Sequence, residues 1–476
     1  MNALRFQLLI LSGLVSLLLT AQSPMEKFAN DPSLSGAALS LVALDADGIV
    51  IDSYLPDQKL CPASVWKLYT TSTAIEKLGA NYKFRTTLVR TGPIEKGVLQ
   101  GSIMVMGSGD PTFGSKYFKS PYYDIFNRWA ADIKAAGIDS IAGNVIVNAA
   151  LFNGDGLPGT RTWEDMGNYY GTSAFAFNIA DNSYSLRYDV SPKVGELATL
   201  QGVFPEVPDL VINSEVQSSI AKGDQAYIFG SPQESIRTVR GTLPAGSSGF
   251  EIKGSIPNPP LFGAYHLMLA LKANGIGSQG YQAEYIPPLE PIAFQVLGEH
   301  LSPTLQEIAA ETNRSSNNLF AEGLLLALGL QANKATPDGG VQALCAHLEA
   351  AIPAIGSIFA YDGSGLSRYT AVSAVQTAQL LGYMKSKSLL NEGVVKNLPV
   401  AAQSGTLKRF GAGTPLSGKF RGKSGSMDKV QAYAGYLTCK SGKELMVVLI
   451  ANNFDVEGNL MRLRMEQCLL ELQAQN

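Results

Sequence analysis

The sequence predicts an α/β (α+β) fold in which an antiparallel sheet flanked by helices is assembled from the two ends of the chain, with β-rich material inserted between them. Three observations predict it. Residues 36–53, GAALSLVALDADGIVIDS, are two apolar runs around an Asp-Gly turn, a strong hairpin signal. The chain closes with GKFRGKSGS, QAYAGYLTC, KSGK, ELMVVLIAN and MRLRMEQCLLELQ, which reads as strand, strand, turn, strand and helix. Between about residues 86 and 290 the texture differs: short strands such as GSIMVMG, NVIVN, AYIFG and FEIKGSI alternate with glycine and proline turns.

The elements follow in order. Residues 1–22, MNALRFQLLILSGLVSLLLTAQ, carry one basic residue (Arg5), an uncharged run from Phe6 to Leu19 and small or polar residues at Thr20 to Gln22. This is the pattern of a secretory signal peptide, too short to favour a retained anchor, so an exported, soluble mature protein is expected. Residues 23–85 form the first part of the sheet domain, and CPASVWKLYTTSTAIEKLG supplies its first long helix. The insertion is expected over 86–290, with a helical segment at HLMLALKANG. From 291 to 476 the sheet domain resumes, with helices in SPTLQEIAAETNRSSNNLFAEGLLLALG and AVSAVQTAQLLGYMKSK.

With 476 residues, 46% of them hydrophobic, the chain has material for two or three domains. A formal net charge of -3 gives no electrostatic footprint for nucleic acid. Cys61, Cys345, Cys439 and Cys468 form no CxxC pair and have no histidine cluster beside them, which argues against a metal site. Spacing does not pair these cysteines, and buried free thiols suit a chain with this much core. No cofactor is expected.

Lys67 stands among Val65, Trp66, Leu68 and Tyr69, an apolar setting for an ammonium. Ser64 lies three positions before it, on the same helical face. S-x-x-K alone is weak, because Ser219 with Lys222 and Ser426 with Lys429 match it too. Only the first follows a hairpin and opens an apolar helix, with Pro62 at its entry. K-S-G also occurs twice. At Lys440–Gly442 it is a hairpin turn, whereas at Lys423–Gly425 it continues into Ser426 on a strand whose edge offers N–H groups, hydroxyls and an ammonium to one anion. Between the helices, NRSSNNLFAE fits S-x-N in two frames, at Ser315–Asn317 and Ser316–Asn318. Serine and lysine on a helix, S-x-N in a helical linker and K-S-G-S on a strand are the parts of a serine acyl transferase that uses lysine in place of histidine. His266, His300 and His347 stand in no triad context, and no G-x-S-x-G elbow occurs.

With these motifs, and with GSGDPTF (107–113), WEDMGNYYG (163–171), SIPNPPLFGA (255–264), SSNNLFAE (315–322), DGSGLSR (362–368) and SGTLKRF (404–410), most of the mature chain resembles the class C low-molecular-mass penicillin-binding proteins, the S13 D-alanyl-D-alanine carboxypeptidases/endopeptidases. Two positions depart from the family pattern: Ser424 replaces the commoner threonine, a mild change that keeps a hydroxyl, and Asn317 stands where aspartate is usual, a change that bears on the fine geometry around Ser316. The resemblance implies a transpeptidase-like domain of the penicillin-binding-protein/β-lactamase type. It further implies a periplasmic location, peptidoglycan stem peptides as substrates and β-lactams as covalent inhibitors.

It also implies roles. Ser64 is the nucleophile, Lys67 its base, Ser316 the proton relay to the leaving amine, and Asn318 the holder of the substrate's acyl side and of Lys67. Lys423 supplies charge for the terminal carboxylate, which Ser424, Gly425 and Ser426 also meet. The backbone N–H groups of Ser64 and Ser426 form the oxyanion hole. Asp165, Tyr170 and Arg368 read the zwitterionic far end of a diaminopimelate stem peptide. A β-lactamase, or a receptor that is acylated without turnover, would share the three core motifs.

Overall fold

The computed structural model describes residues 22–152, 156–287 and 293–476. The expected signal peptide, apart from Gln22, lies outside the described residues. Among the described residues no helix is long and apolar enough to cross a membrane.

The two chain ends meet in one five-stranded antiparallel sheet, in the order Phe420–Met427, Val430–Thr438, Glu444–Asn452, Ala38–Leu44, Val50–Tyr54. Ala38 pairs with Asn452 and Leu44 with Met446, so the first hairpin is stitched along its whole length to the last strand. The three central strands, Val430–Thr438, Glu444–Asn452 and Ala38–Leu44, are apolar on both sides because both sheet faces are covered there. Val42, Leu44, Ala432, Ala434, Val448 and Ile450 face a helical layer that holds Trp66, Leu68 and Tyr69. Leu39, Leu41, Ala43, Val447 and Leu449 face the opposite way, against Met461, Met465 and Leu469 of the Gly458–Gln475 helix. Strand alternation thus sorts one sequence into two cores.

Within the helical layer, Trp66 and Tyr69 stack with ring centroids 4.6 Å apart, and both are wholly buried. The Trp66 indole N–H donates to the Asp362 carbonyl at 2.7 Å and the Tyr69 hydroxyl to Thr377 Oγ1 at 3.0 Å. Trp66→Ala should therefore cost about 3 to 5 kcal/mol, read as a lowered urea midpoint with an unchanged slope. A midpoint that did not move would mean that this ring does not hold the helix.

The inserted part has its own core, from Leu88 through Trp129 and Tyr184 to Leu271. Its largest sheet runs Tyr281–Glu284, Val145–Asn148, Ile103–Met106, Arg85–Thr91, Phe294–Leu301. Phe294–Leu301 pairs with Arg85–Thr91, so by strand pairing the insertion reaches from 85 to 301, past the 86–290 limits that texture suggested. Smaller sheets around Ser183–Asp189 and Ile236–Pro244 account for its β-rich sequence. It also carries two long helices, Tyr122–Ala135 and Pro259–Ala273, the second of them at HLMLALKANG.

Candidate active site

Ser64 lies on a short 3-10 turn, Ala63–Trp66, that runs directly into the Lys67–Leu78 α-helix. The sequence pattern placed both residues in one α-helical turn. The tighter winding strengthens their meeting, because side chains three apart eclipse on a 3-10 helix. Lys67 is wholly buried, and its Nζ reaches three oxygens: Ser64 Oγ at 2.9 Å, Asn318 Oδ1 at 2.6 Å and the Ser364 carbonyl at 2.7 Å. A neutral amine would spend its two N–H groups on Asn318 and Ser364 and turn its lone pair toward the Ser64 hydroxyl. Burial is the main cause that lowers the Lys67 pKa, to about 7, with the Asp362 and Glu322 carboxylates opposing it and Arg161 reinforcing it.

The second element comes from the junction of two helices, Leu305–Ser315 and Asn318–Gln331. Ser316 is in the left-handed region (φ 60°, ψ 37°), a conformation that costs a serine on the order of 1 kcal/mol or more and that tightens the junction to two residues. Asn317 caps the second helix by accepting the Phe320 N–H at 3.1 Å. Of the two S-x-N frames, the structure uses Ser316–Asn318. Asn318 bonds Lys67 through its oxygen and donates its Nδ2 to the Tyr170 carbonyl at 2.7 Å.

Lys423 arrives on the outer strand of the sheet. It pairs with Ala434 and Gly425 pairs with Ala432, so both face the helical layer that carries Lys67. The buried Lys423 ammonium donates to Ser316 Oγ at 2.9 Å and to the Ser424 carbonyl at 2.6 Å. Its pKa is held well below the ordinary ammonium value, first by burial and then by the nearby Lys67 charge. Gly425 is required by space: a Cβ there would lie 2.4 Å from the Pro62 carbonyl oxygen and 3.0 Å from the Ser64 nitrogen. The Gly422 N–H points off the sheet edge to the Pro399 carbonyl. Alternation of ladder bonds then aims the Ser426 N–H off the same edge, the edge that abuts the Ser64 turn. Ser424 directs its hydroxyl to Thr406 Oγ1 at 2.7 Å.

These parts open on a cleft of about 430 Å³ lined by Ser64, Ser316, Asn318 and Ser426 on the reactive side and by Glu164, Asp165, Tyr170, Tyr227 and Arg368 farther out. Asp165 accepts from Thr162 Oγ1 at 2.7 Å, and Arg368, exposed, donates to the Asp428 carbonyl at 3.1 Å. The structure thus brings every motif-derived residue to one place. None of the three histidines lines the cleft: His347 bonds Glu76 in the last turns of the Lys67–Leu78 helix, and His266 bonds the Glu206 carbonyl. All four cysteines are free thiols. Sequence reading missed Arg161, Glu322, Asp362 and Ser364. Three of these sat inside SSNNLFAE and DGSGLSR without a chemical signal of their own, and Arg161 had no signal at all.

The model of the D-Ala-D-Ala carboxypeptidase 3 (S13) family matches residues 21–473. The chain belongs to this family. It is similar to the D-alanyl-D-alanine carboxypeptidase of Actinomadura sp. (strain R39), 27% identical over 451 residues that cover 90% of this chain and 80% of that one. It is 24% identical to the D-alanyl-D-alanine carboxypeptidase DacB of Haemophilus influenzae, covering 87% and 85% of the two chains. The crystal structure of penicillin binding protein 4 from Haemophilus influenzae shares the fold at a TM-score of 0.80 and 24% identity, covering 94% of this chain and 97% of that one. That protein has also been solved in complex with a β-lactam, with a TM-score of 0.75 to this chain. As an S13 family member the chain is a serine-type D-Ala-D-Ala carboxypeptidase.

Proposed function

We propose that this S13 enzyme removes the terminal D-alanine from peptidoglycan stem peptides, and also cuts D,D cross-links, through an acyl-enzyme on Ser64. The observation that carries this reading is the buried Lys67 amine, 2.9 Å from Ser64 Oγ and anchored by Asn318 and Ser364. In the proposed reaction Ser64 Oγ attacks the carbonyl carbon of the penultimate D-alanine while its proton passes to neutral Lys67. The N–H groups of Ser64 and Ser426 receive the developing oxyanion. Ser316, hydrogen-bonded to Lys423, passes its proton to the departing amine as the C–N bond breaks and is reprotonated by the Lys67 ammonium, which returns the proton taken from Ser64. Water then hydrolyses the Ser64 ester. Lys423, with the hydroxyls of Ser424 and Ser426, binds the terminal carboxylate. A β-lactam enters the same sequence as far as the ester. Intact muropeptides incubated with the enzyme should yield free D-alanine from pentapeptides and monomers from D,D-linked dimers, read by mass. Failure of both products would overturn the proposal.

At the outer end of the cleft, Asp165 and Arg368 suit the amine and carboxylate that end a diaminopimelate side chain, with Tyr170 beside them. Charge-assisted hydrogen bonds of this kind are worth about 1.5 to 3 kcal/mol when shielded. Asp165→Ala and Arg368→Ala should each lower kcat/KM for a diaminopimelate-containing peptide by roughly tenfold or more. Turnover of a simple acylated D-alanyl-D-alanine should hardly change. Parallel losses on both substrates would show that the two residues support the cleft without reading the substrate.

The leader at 1–22 supports export to the periplasm, where the stem peptides are. The mature amino terminus of the protein recovered from that compartment tests this directly, and recovery of uncleaved protein in the cytoplasm would refute it.

A further inference from the structure

Behind Lys67, on the side away from the cleft, three more charges are buried. Arg161, Glu322 and Asp362 have side chains only 1%, 2% and 0% exposed. Arg161 Nη2 donates to Glu322 Oε1 at 3.0 Å, and its Nη1 lies 3.9 Å from Asp362 Oδ2. Glu322 also accepts the N–H groups of Gly363 at 2.9 Å and Ser364 at 3.2 Å. Burial and then the Asp362 charge push its pKa up, while Arg161 and the two N–H groups oppose them; with three donors converging on it, it serves as a carboxylate acceptor. Asp362 accepts from the N–H groups of Gly365, Leu366 and Ser367 at 2.8 to 2.9 Å. The loop clamped in this way presents the Ser364 carbonyl to Lys67.

Two features set this cluster apart from ordinary fold-holding ion pairs. Arg161 Nε and Nη1 have no hydrogen-bond partner among the described residues, so Glu322 is the one side chain there that its guanidinium bonds. Burying such a charge is costly, and well-packed apolar groups would serve stability at least as well. The arginine also comes from the insertion, whereas both carboxylates belong to the domain that carries Ser64. It reaches across to the floor of the site.

We infer that Arg161 and Glu322 are positioning residues for the acylation step: together they hold the Ser364 carbonyl under Lys67 and balance the charge that Lys67 experiences. The inference deepens the proposed function and rests on Lys67 being the base. The charged groups facing Lys67 are Lys423 from the outer strand, Asp362 from the clamped loop, Glu322 from the Asn318–Gln331 helix and Arg161 from the insertion. A neighbouring cation favours the neutral amine and a neighbouring carboxylate the ammonium. Removing Arg161 therefore delays the appearance of neutral Lys67 to higher pH. Removing the Glu322 charge advances it.

The test is the pH dependence of acylation by a penicillin in the full-length mature protein. In Arg161→Met the acid limb should move up by about one pH unit, and in Glu322→Gln it should move down by a similar amount. Arg161→Lys, which keeps the charge, should leave the limb near its wild-type position. Arg161→Gln retains an amide for Glu322 and replaces the methionine variant if that one does not fold, as judged by thermal melting. A cluster that merely holds the fold would lower rates at every pH without displacing the limb. A limb that stays in place in a folded Arg161→Gln or Glu322→Gln variant, or moves the same way in both, overturns the inference. Wild-type protein that is not acylated at all would instead overturn the proposed function.

Discussion

Ser64→Ala should lose the covalent penicillin adduct altogether and reduce D-alanine release by about a millionfold, the scale of loss when the nucleophile of a serine acyl transferase is removed. The fold should be undisturbed. Ser64 is only half-buried, and the buried Lys67 amine that loses its hydroxyl keeps Asn318 Oδ1 and the Ser364 carbonyl as partners. In the wild type, one acyl mass should be gained and should map to the peptide containing CPASVWK. The two competing S-x-x-K serines make the test sharp. Ser426 lines the same cleft, but its Oγ donates to Gln431 Oε1 at 3.5 Å, not to a lysine amine. Ser219 lies on the short Gln217–Ser219 strand of the insertion. A label that survives in Ser64→Ala, or that maps to Ser219 or Ser426, would refute the assignment.

The sheet was legible because its strands announce themselves locally: an Asp-Gly turn at one end of the chain and β-branched runs at the other. That the two ends pair was an inference from layer rules, and the register from Ala38 to Leu44 bears it out. The limits of the insertion were less legible. Phe294–Leu301 follows a proline-rich stretch and its side chains are largely exposed, so no apolar alternation marks it as the partner of Arg85–Thr91. The Tyr122–Ala135 helix escaped notice for a related reason: turn-rich sequence on both sides drew the reading toward strands.

At the site, residues with a motif could be found and those that act through others could not. Ser64, Lys67, Ser316, Asn318 and Lys423 belong to patterns whose spacing follows from helix and strand geometry. Arg161 lies far from all of them in sequence and meets Glu322 and Asp362 only through tertiary packing. A buried arginine in a loop has no local pattern. The left-handed Ser316 shows the same limit, since sequence identified the residue while only the chain path reveals that its conformation turns the hydroxyl toward Lys423.

Lys67→Ala and Lys423→Ala should fail in different ways. Lys67 is the group placed to take the Ser64 proton, and its loss should cut acylation by about a thousandfold or more at every pH, in line with the contribution of a positioned general base. With the amine gone the variant has no titrating base near Ser64, so the rise in rate expected as the wild type passes about pH 7 should vanish. Lys423 touches Ser316 and not Ser64. Its removal should chiefly raise KM for carboxylate-terminated substrates, and a pH limb should remain. That limb should stay near the wild-type one, because the Lys67 pKa is set by burial and by the Asp362, Glu322 and Arg161 charges. Steady-state kinetics on an acylated D-alanyl-D-alanine from pH 5 to pH 10 separates the two cases. Equal, modest losses from both substitutions, with the limb kept in Lys67→Ala, would mean that neither lysine has the role assigned to it.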